Sequence, residues 1–324
     1  MRILSDIEDY QGGSSAIALG KFDGIHLGHR KLIKAITDQK DNGLSAVCLT
    51  FDGSIKAYLT GQEDPWICSK TQKREIFKSL GVDWLIELPV NKDTVSMEPE
   101  DFIEKIMVKG LKAAYVAAGP DMSFGYKGRG DFPLLQKWGE KYSFSCKRIE
   151  KLSSIISEEG KAQRKFISST LVRESIVAGK MELVNELLGR PYSFRGMVDR
   201  GDGIGGPKLR TPTVNLPVEK GRVLPPNGVY YSLAVFMDPD GNIARYNGIT
   251  NLGVRPTVSE IGEVRSETYL YNFEGSLYGR EIEISLLKFV RPETKFSGLE
   301  ELKAQIQEDK SRGERYFNEL CTQA

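Results

Sequence analysis

The chain has 324 residues, 40% of them hydrophobic, and its 45 Lys and Arg nearly balance 44 Asp and Glu, giving a formal net charge of +1. That length allows two ordinary domains, and that balance excludes a nucleic-acid binder working by bulk positive charge. No stretch approaches a membrane span, the N-terminus lacks a long apolar segment, and the four cysteines form no CxxC pair, so a cytoplasmic protein with reduced thiols is expected.

In chain order, the apolar run at residues 16–19 predicts a buried strand, and Leu32, Ile33 and Ile36 carry helical spacing. Between them lies a tight loop, residues 20–29, reading Gly-Lys-Phe-Asp-Gly-Ile-His-Leu-Gly-His. His26 and His29 are the only two histidines of the chain. They flank Gly28 at the opening of a helix, where imidazoles, free amides and the helix dipole all favour an anion. An ordinary glycine turn with surface histidines uses the same letters. A zinc site fits less well, because no third or fourth ligand of the usual spacing lies nearby.

Residues 46–51 read as a second buried strand with Cys48 in the core. A helix is expected over 69–80, with Ser69 and Gln72 as a capping box and Gly81 as its stop. Residues 82–88 make another strand. Pro99 opens a helix with Phe102, Ile103, Ile106 and Met107 on one face, and 113–118 returns as a strand. This βαβαβαβ alternation predicts a parallel sheet with helices on both faces and a ligand at the carboxyl ends of the strands, the edge that carries His26 and His29. At residues 167–173, Ser168 or Ser169 can cap a helix and Arg173, one turn inside, can reach an anion; a capped helix with a solvated arginine is the equal alternative. A last short helix, Met181–Leu188, is ended by Gly189, and a boundary between domains 1–188 and 189–324 is expected there. Beyond it, short runs at 230–237, 243–247, 268–273 and 281–289, separated by turns such as 239–242, read as an antiparallel barrel or sandwich. Ser297 and Glu300 form a capping box for a closing helix through Leu302 and Ile306.

His26-Leu27-Gly28-His29, after Gly20-Lys21-Phe22-Asp23-Gly24, resembles the HxGH signature of nucleotidylyltransferases in the form carried by bacterial FAD synthetases. The resemblance implies that the histidines stabilise charge on the ATP phosphates while an acceptor attacks the α-phosphorus, without a covalent intermediate. Gly20, Phe22, Asp23 and Gly28 would then line the nucleotide. Residues 119–125, Gly-Pro-Asp-Met-Ser-Phe-Gly, are similar to the loop that lines the flavin and nucleotide site in that family, which assigns Gly119, Asp121, Phe124 and Gly125. Ser168-Ser169-Thr170 with Arg173 resembles the second signature, which closes over the triphosphate.

Thr211-Pro212-Thr213-Val214-Asn215 resembles the PTxN signature of riboflavin kinases, accompanied by residues 251–257, by Ser266-Glu267-Thr268 and by residues 273–279. By this resemblance Thr213 and Asn215 hold Mg2+ and phosphate, and Glu267 is the base on the terminal ribityl hydroxyl. Without it, Thr213 is a strand residue and Glu267 a solvated charge. The glycine-rich stretch 201–210 has the character of an anion nest, with Gly203, Gly205, Lys208 and Arg210 as its ATP-binding candidates.

Two departures from the family stand out. Residues 50–55, Thr-Phe-Asp-Gly-Ser-Ile, lack the prolines and histidine of a Phe-Asp-Pro-His-Pro type loop. Pro207 stands where a basic residue is usual, and Arg210 where a glycine is usual. The whole resemblance implies a Rossmann-like HxGH nucleotidylyltransferase domain followed by an antiparallel β-barrel riboflavin kinase domain with a closing helix. The implied activity is bifunctional, with ATP as co-substrate, riboflavin, FMN and FAD as substrates and products, and no nucleic-acid or membrane partner. A chain that keeps one activity only, or a flavin-binding regulator without turnover, is the rival reading.

Overall fold

The computed structural model describes residues 1–158, 160–199, 213–255 and 263–323, which form two compact units, Met1–Val172 and Arg173–Ala324. In the first, β1 (Arg2–Leu4), β2 (Ser15–Leu19), β3 (Ser45–Phe51), β4 (Trp84–Leu88), β5 (Ala113–Ala118) and β6 (Ser145–Arg148) make one parallel sheet in the order β1-β4-β3-β2-β5-β6. The continuous apolar letters of the central strands follow from burial on both faces. Ile17, Leu19, Val47, Leu49, Ile86 and Val116 enter one core. Their chain neighbours Ala16, Ala18, Ala46, Cys48 and Ala117 enter the other. On that second face the small side chains leave room for α1 (Leu27–Thr37), through Leu32, Ile33 and Ile36, and for Phe77.

Two short helices, α2 (Ile55–Thr60) and α4 (Lys92–Val95), flank α3 (Lys70–Ser79), which carries Phe77 and whose Ser69–Gln72 capping box is fully formed. Helix α5 (Pro99–Asp101) runs on through Phe102–Gly110 with π-type hydrogen bonding, which the sequence did not announce. Its Phe102, Ile103 and Met107 fill the first core together with Leu135 of α6 (Phe132–Tyr142). Each such side chain contributes about 1.5–3 kcal/mol by burial. The order of strands reverses at β2, which has β3 on one side and β5 on the other. The loops that start at Gly20 and Gly119 therefore leave adjacent strand ends on either side of the switch point, where ligands bind in such sheets. The hairpin β7 (Ser153–Glu158) and β8 (Lys161–Phe166) completes this unit.

Helix α7 (Ser169–Val177) crosses the division between the units, and α8 (Met181–Leu188) belongs to the second. Asn185 of α8 donates to Leu286 O and accepts from Tyr192 N. The strands β9 (Tyr192–Met197), β10 (Thr213–Pro217), β11 (Gly228–Met237), β12 (Ile243–Arg255), β13 (Glu263–Leu270) and β14 (Glu281–Pro292) pair antiparallel in the order β10-β13-β12-β11-β14-β9. Asp199, two residues past β9, bridges back to Asn215 of β10, so the two ends of the sheet meet as a barrel. Buried Thr250 is hydrogen-bonded to Ser232 and to Thr268, each at 2.8 Å, which satisfies these three hydroxyls.

The closing helix, α9 (Leu299–Gln323), covers the other face, with Phe317 against Tyr231 and Tyr271 and Asp309 paired to Arg291 at 2.7 Å. Its expected Ser297–Glu300 cap is corrected by the structure. Both the backbone N–H and the hydroxyl of Ser297 donate to Glu301, each at 2.7 Å, while Glu300 pairs with Lys303. The helix begins at Leu299, so the carboxylate that can turn back to Ser297 lies one residue later than a regular capping box requires.

Candidate active sites

The loop after β2 is held in a strained conformation. Phe22, Gly24 and Ile25 all have positive φ, at 50°, 75° and 42°. For the β-branched Ile25 this is costly, and full burial of Phe22 and Ile25 holds it in place. The carboxylate of Asp23, 7% exposed, accepts from Ile67 N at 3.0 Å, and its carbonyl accepts from the Ser169 hydroxyl at 3.0 Å. Gly24 allows the same close approach, since a Cβ there would lie 2.9 Å from Ile67. Gly24→Ala is expected to destabilise the first unit by about 1–3 kcal/mol in denaturant unfolding.

The strained turn delivers two histidines to the start of α1. His26 is its N-cap, and its Nδ1 accepts from His29 N at 3.3 Å. The two rings stack with centroids 3.7 Å apart and planes 17° from parallel. Gly28 permits this, because a Cβ at that position would meet His26 Cε1 and Nδ1 at 3.1 Å. On its other side His29 meets Phe22, ring centroids 5.3 Å apart. His29 Nδ1 is buried with no hydrogen-bond partner among the described residues. Burial first, then the neighbouring His26 and Lys73, hold His29 well below its ordinary value of 6.5.

Near neutral pH this favours the uncharged ring in the folded chain. An unfolded chain takes up its proton as pH falls through about 6.5, while the folded chain resists, so this group removes stability below that pH and none above it. A polyanion bound at this loop would favour the protonated ring. Polyphosphate binding near neutral pH is expected to take up a proton, and calorimetry in buffers of different ionisation heat checks this.

The second signature lies at the same loop. Ser168 Oγ accepts from Leu171 N at 3.2 Å as the cap of α7, and Ser169 is the residue bonded to Asp23 O. Thr170 is exposed, and Arg173, one turn on, is partly buried. In the 119–125 loop, Gly119 faces open space and exposed Asp121 pairs with Lys151. Phe124 and Gly125 anchor this loop: Phe124 packs on Phe102 at 5.6 Å, and Gly125, φ 70°, lies where a Cβ would meet Pro99 at 2.7 Å. The departing loop at 50–55 is ordered by other means. Asp52 accepts from Val90 N at 3.0 Å, and Ser54, the cap of α2, donates to Asp64, which Lys21 also pairs at 2.6 Å. The 65–69 segment was not among the sequence candidates, since its bond to Asp23 spans 44 positions and leaves no local pattern.

In the second unit, strand register assembles a row. Asn215 of β10 lies opposite Glu267 of β13, and Glu267 lies opposite Asn251 of β12. Asp199 adds to it through its bridge to Asn215 and its ion pair with Arg265 at 3.4 Å. Thr213 shares this face two residues along, opposite Tyr269, over whose ring Lys310 of α9 lies at 3.8 Å. Asn215 is 5% exposed and its amide nitrogen donates to Thr213 O at 3.4 Å. Glu267 is partly exposed. Side chains directly opposite on neighbouring strands have Cβ atoms about 4.5–5.5 Å apart, so the row can act on one ligand. Hydroxyl, amide and carboxylate oxygens are hard donors that suit Mg2+. Gly203, Gly205, Pro207, Lys208, Arg210, Thr211, Pro212, Pro256 and Thr257 lie outside the described residues.

Residues 9–170 match the family model for FAD synthetase, and residues 188–317 that for riboflavin kinase. The chain is 34% identical to the bifunctional riboflavin kinase/FMN adenylyltransferase of Bacillus subtilis strain 168 over 313 residues, covering 94% of this chain and 93% of that one. It is 30% identical over 303 residues to the protein of the same name from Escherichia coli K12, covering 93% and 92%. A Streptococcus pneumoniae crystal structure described as a macrolide-efflux protein shares the fold, with TM-score 0.81 at 24% identity over 95% of this chain and 97% of that one. Both domain models match in the order in which the two sets of motifs occur, and the relatives align over nearly full length: the chain belongs to the bifunctional riboflavin kinase/FMN adenylyltransferase family.

Proposed function

We infer that the chain phosphorylates riboflavin with ATP to give FMN, then joins FMN to the AMP moiety of a second ATP to give FAD and pyrophosphate. The observation that carries this reading is the presence in one chain of both constellations, the stacked His26–His29 pair at the sheet's switch point and Asn215 beside Glu267 across two strands. In adenylyl transfer, a phosphate oxygen of FMN attacks the α-phosphorus and pyrophosphate leaves. His26, His29 and the amides at the start of α1 stabilise the charge that develops, with no covalent intermediate. Gly20, Phe22, Asp23 and Gly28 shape the nucleotide site, Ser168, Ser169, Thr170 and Arg173 bind phosphate, and Gly119 and Asp121 face the flavin side, with Phe124 and Gly125 fixing their loop.

In the kinase reaction Glu267 accepts the proton of the terminal ribityl hydroxyl as that oxygen attacks the γ-phosphorus. Thr213 and Asn215 orient the phosphates, and Gly203, Gly205, Lys208 and Arg210 belong to the ATP loop. Mg2+ suits Thr213 and Asn215, and when bound it supplies neutralisation of phosphate charge. The adenylylating and kinase parts are assigned to residues 1–188 and 189–324. Among the described residues no helix is long and apolar enough to cross a membrane, and we assign the chain to the cytoplasm. One assay of riboflavin, ATP and Mg2+, with chromatography of FMN and FAD, tests all of this. FMN alone means that adenylyl transfer is lost, FAD only from supplied FMN means that the kinase is lost, and bound flavin without ATP consumption means a regulator.

A further inference from the structure

Helix α3 carries three cations in its first turn and a half, and they do not share one task. Lys70 and Arg74 both pair with Glu87, at 3.3 and 2.5 Å, and that carboxylate is 3% exposed. Lys73 has no carboxylate within ion-pair distance among the described residues. It is partly buried, one turn before Phe77 and so on the same face of the helix. That face is turned to the histidine loop: Phe77 meets Phe22 edge-on at 5.2 Å, and Phe22 meets His29. The start of α3 is fixed to the same loop by the bond from Ile67 N to Asp23. Burial pushes the Lys73 ammonium below its usual range against the opposing pull of Cys68, Glu87 and Asp23, and its charge is felt at His29. An ammonium taken out of water without a paired anion is costly. His29 Nδ1, on the ring that packs on Phe22, also lacks a partner among the described residues. A single anion at the Asp23–His29 loop relieves both.

We propose that Lys73 is a further catalytic residue of adenylyl transfer, its ammonium contacting the polyphosphate of ATP beside His29. This rests on the adenylyl-transfer reading above. As the FMN phosphate oxygen bonds to the α-phosphorus, the bond from that phosphorus to the α,β-bridging oxygen breaks and its electron pair leaves with pyrophosphate. Lys73 neutralises charge on that leaving group and transfers no proton.

The test compares Lys73→Gln, Lys73→Arg and Lys70→Gln with the wild-type chain, using FMN and ATP as substrates and pyrophosphate as inhibitor. Lys73→Gln is expected to raise the ATP KM and the pyrophosphate inhibition constant about tenfold each, with riboflavin phosphorylation unchanged. Lys73→Arg should recover most of both, and Lys70→Gln should behave as wild type. Wild-type ATP KM and pyrophosphate inhibition in Lys73→Gln, or equal losses in Lys70→Gln, overturn the proposal. A measurement on the wild-type chain does not depend on the variants folding: pyrophosphate should slow amine labelling of Lys73, read by mass spectrometry, and leave Lys70 unchanged. Equal labelling of Lys73 with and without pyrophosphate overturns it. A wild-type chain that makes no FAD from FMN and ATP overturns the activity reading instead.

Discussion

His29→Ala is expected to cut FAD formation by about a hundredfold or more while riboflavin is still converted to FMN at the wild-type rate. The size follows from loss of a preorganised group aimed at charge that develops in the transition state. The selectivity follows from the fold. His29 lies in the first turn of α1, directly after the strained loop, in the first compact unit, whereas Asn215 and Glu267 lie on paired strands of the second. The variant also removes a ring that packs on His26 and Phe22, so its melting temperature must be read beside its kinetics. A folded variant that loses both activities equally sinks the assignment of two sites. One that keeps FAD synthesis leaves His29 a packing residue.

The parallel sheet was legible because its strands alternate between two cores. Ala16-Ile17-Ala18-Leu19 shows four apolar letters since odd and even positions are both buried, and no exposed strand does that. The histidine loop was legible because the chain spends its only two histidines there. The hairpin of β7 and β8 was not, since Ile155 and Phe166 are 72% and 62% exposed and Ile156 alone is buried among the described side chains of the two strands. The π-type turn of α5 depends on how Phe102 to Met107 meet the sheet, which a helical period cannot express. Lys73 reads like Lys70 and Arg74 in the sequence. Only the packing of Phe77 on Phe22 and the burial of Glu87 separate the two cations that pair with Glu87 from Lys73. The kinase row shows the same limit, because Asn215, Glu267 and Asn251 become neighbours through strand register, which the motif letters do not contain.

Glu267→Gln should give the converse of the histidine variant. The substitution keeps the length of the side chain and its hydrogen-bonding capacity, and β13 is held by ladders to both β10 and β12, so the barrel should fold. What disappears is a carboxylate able to take the ribityl proton, and general bases of this kind contribute typically about a hundredfold to ten-thousandfold. Riboflavin phosphorylation should fall by that order, and FMN supplied directly should still become FAD at the wild-type rate. The division between kinetic constants carries the assignment. Loss of a base acts in the transition state, so kcat should fall while the ATP KM, which the proposed function assigns to other groups, Thr213 and Asn215 among them, stays within about threefold. A raised ATP KM with kcat preserved would make Glu267 a group that positions phosphate or metal beside Asn215. Phosphorylation near the wild-type rate would return it to a solvated charge on a barrel strand.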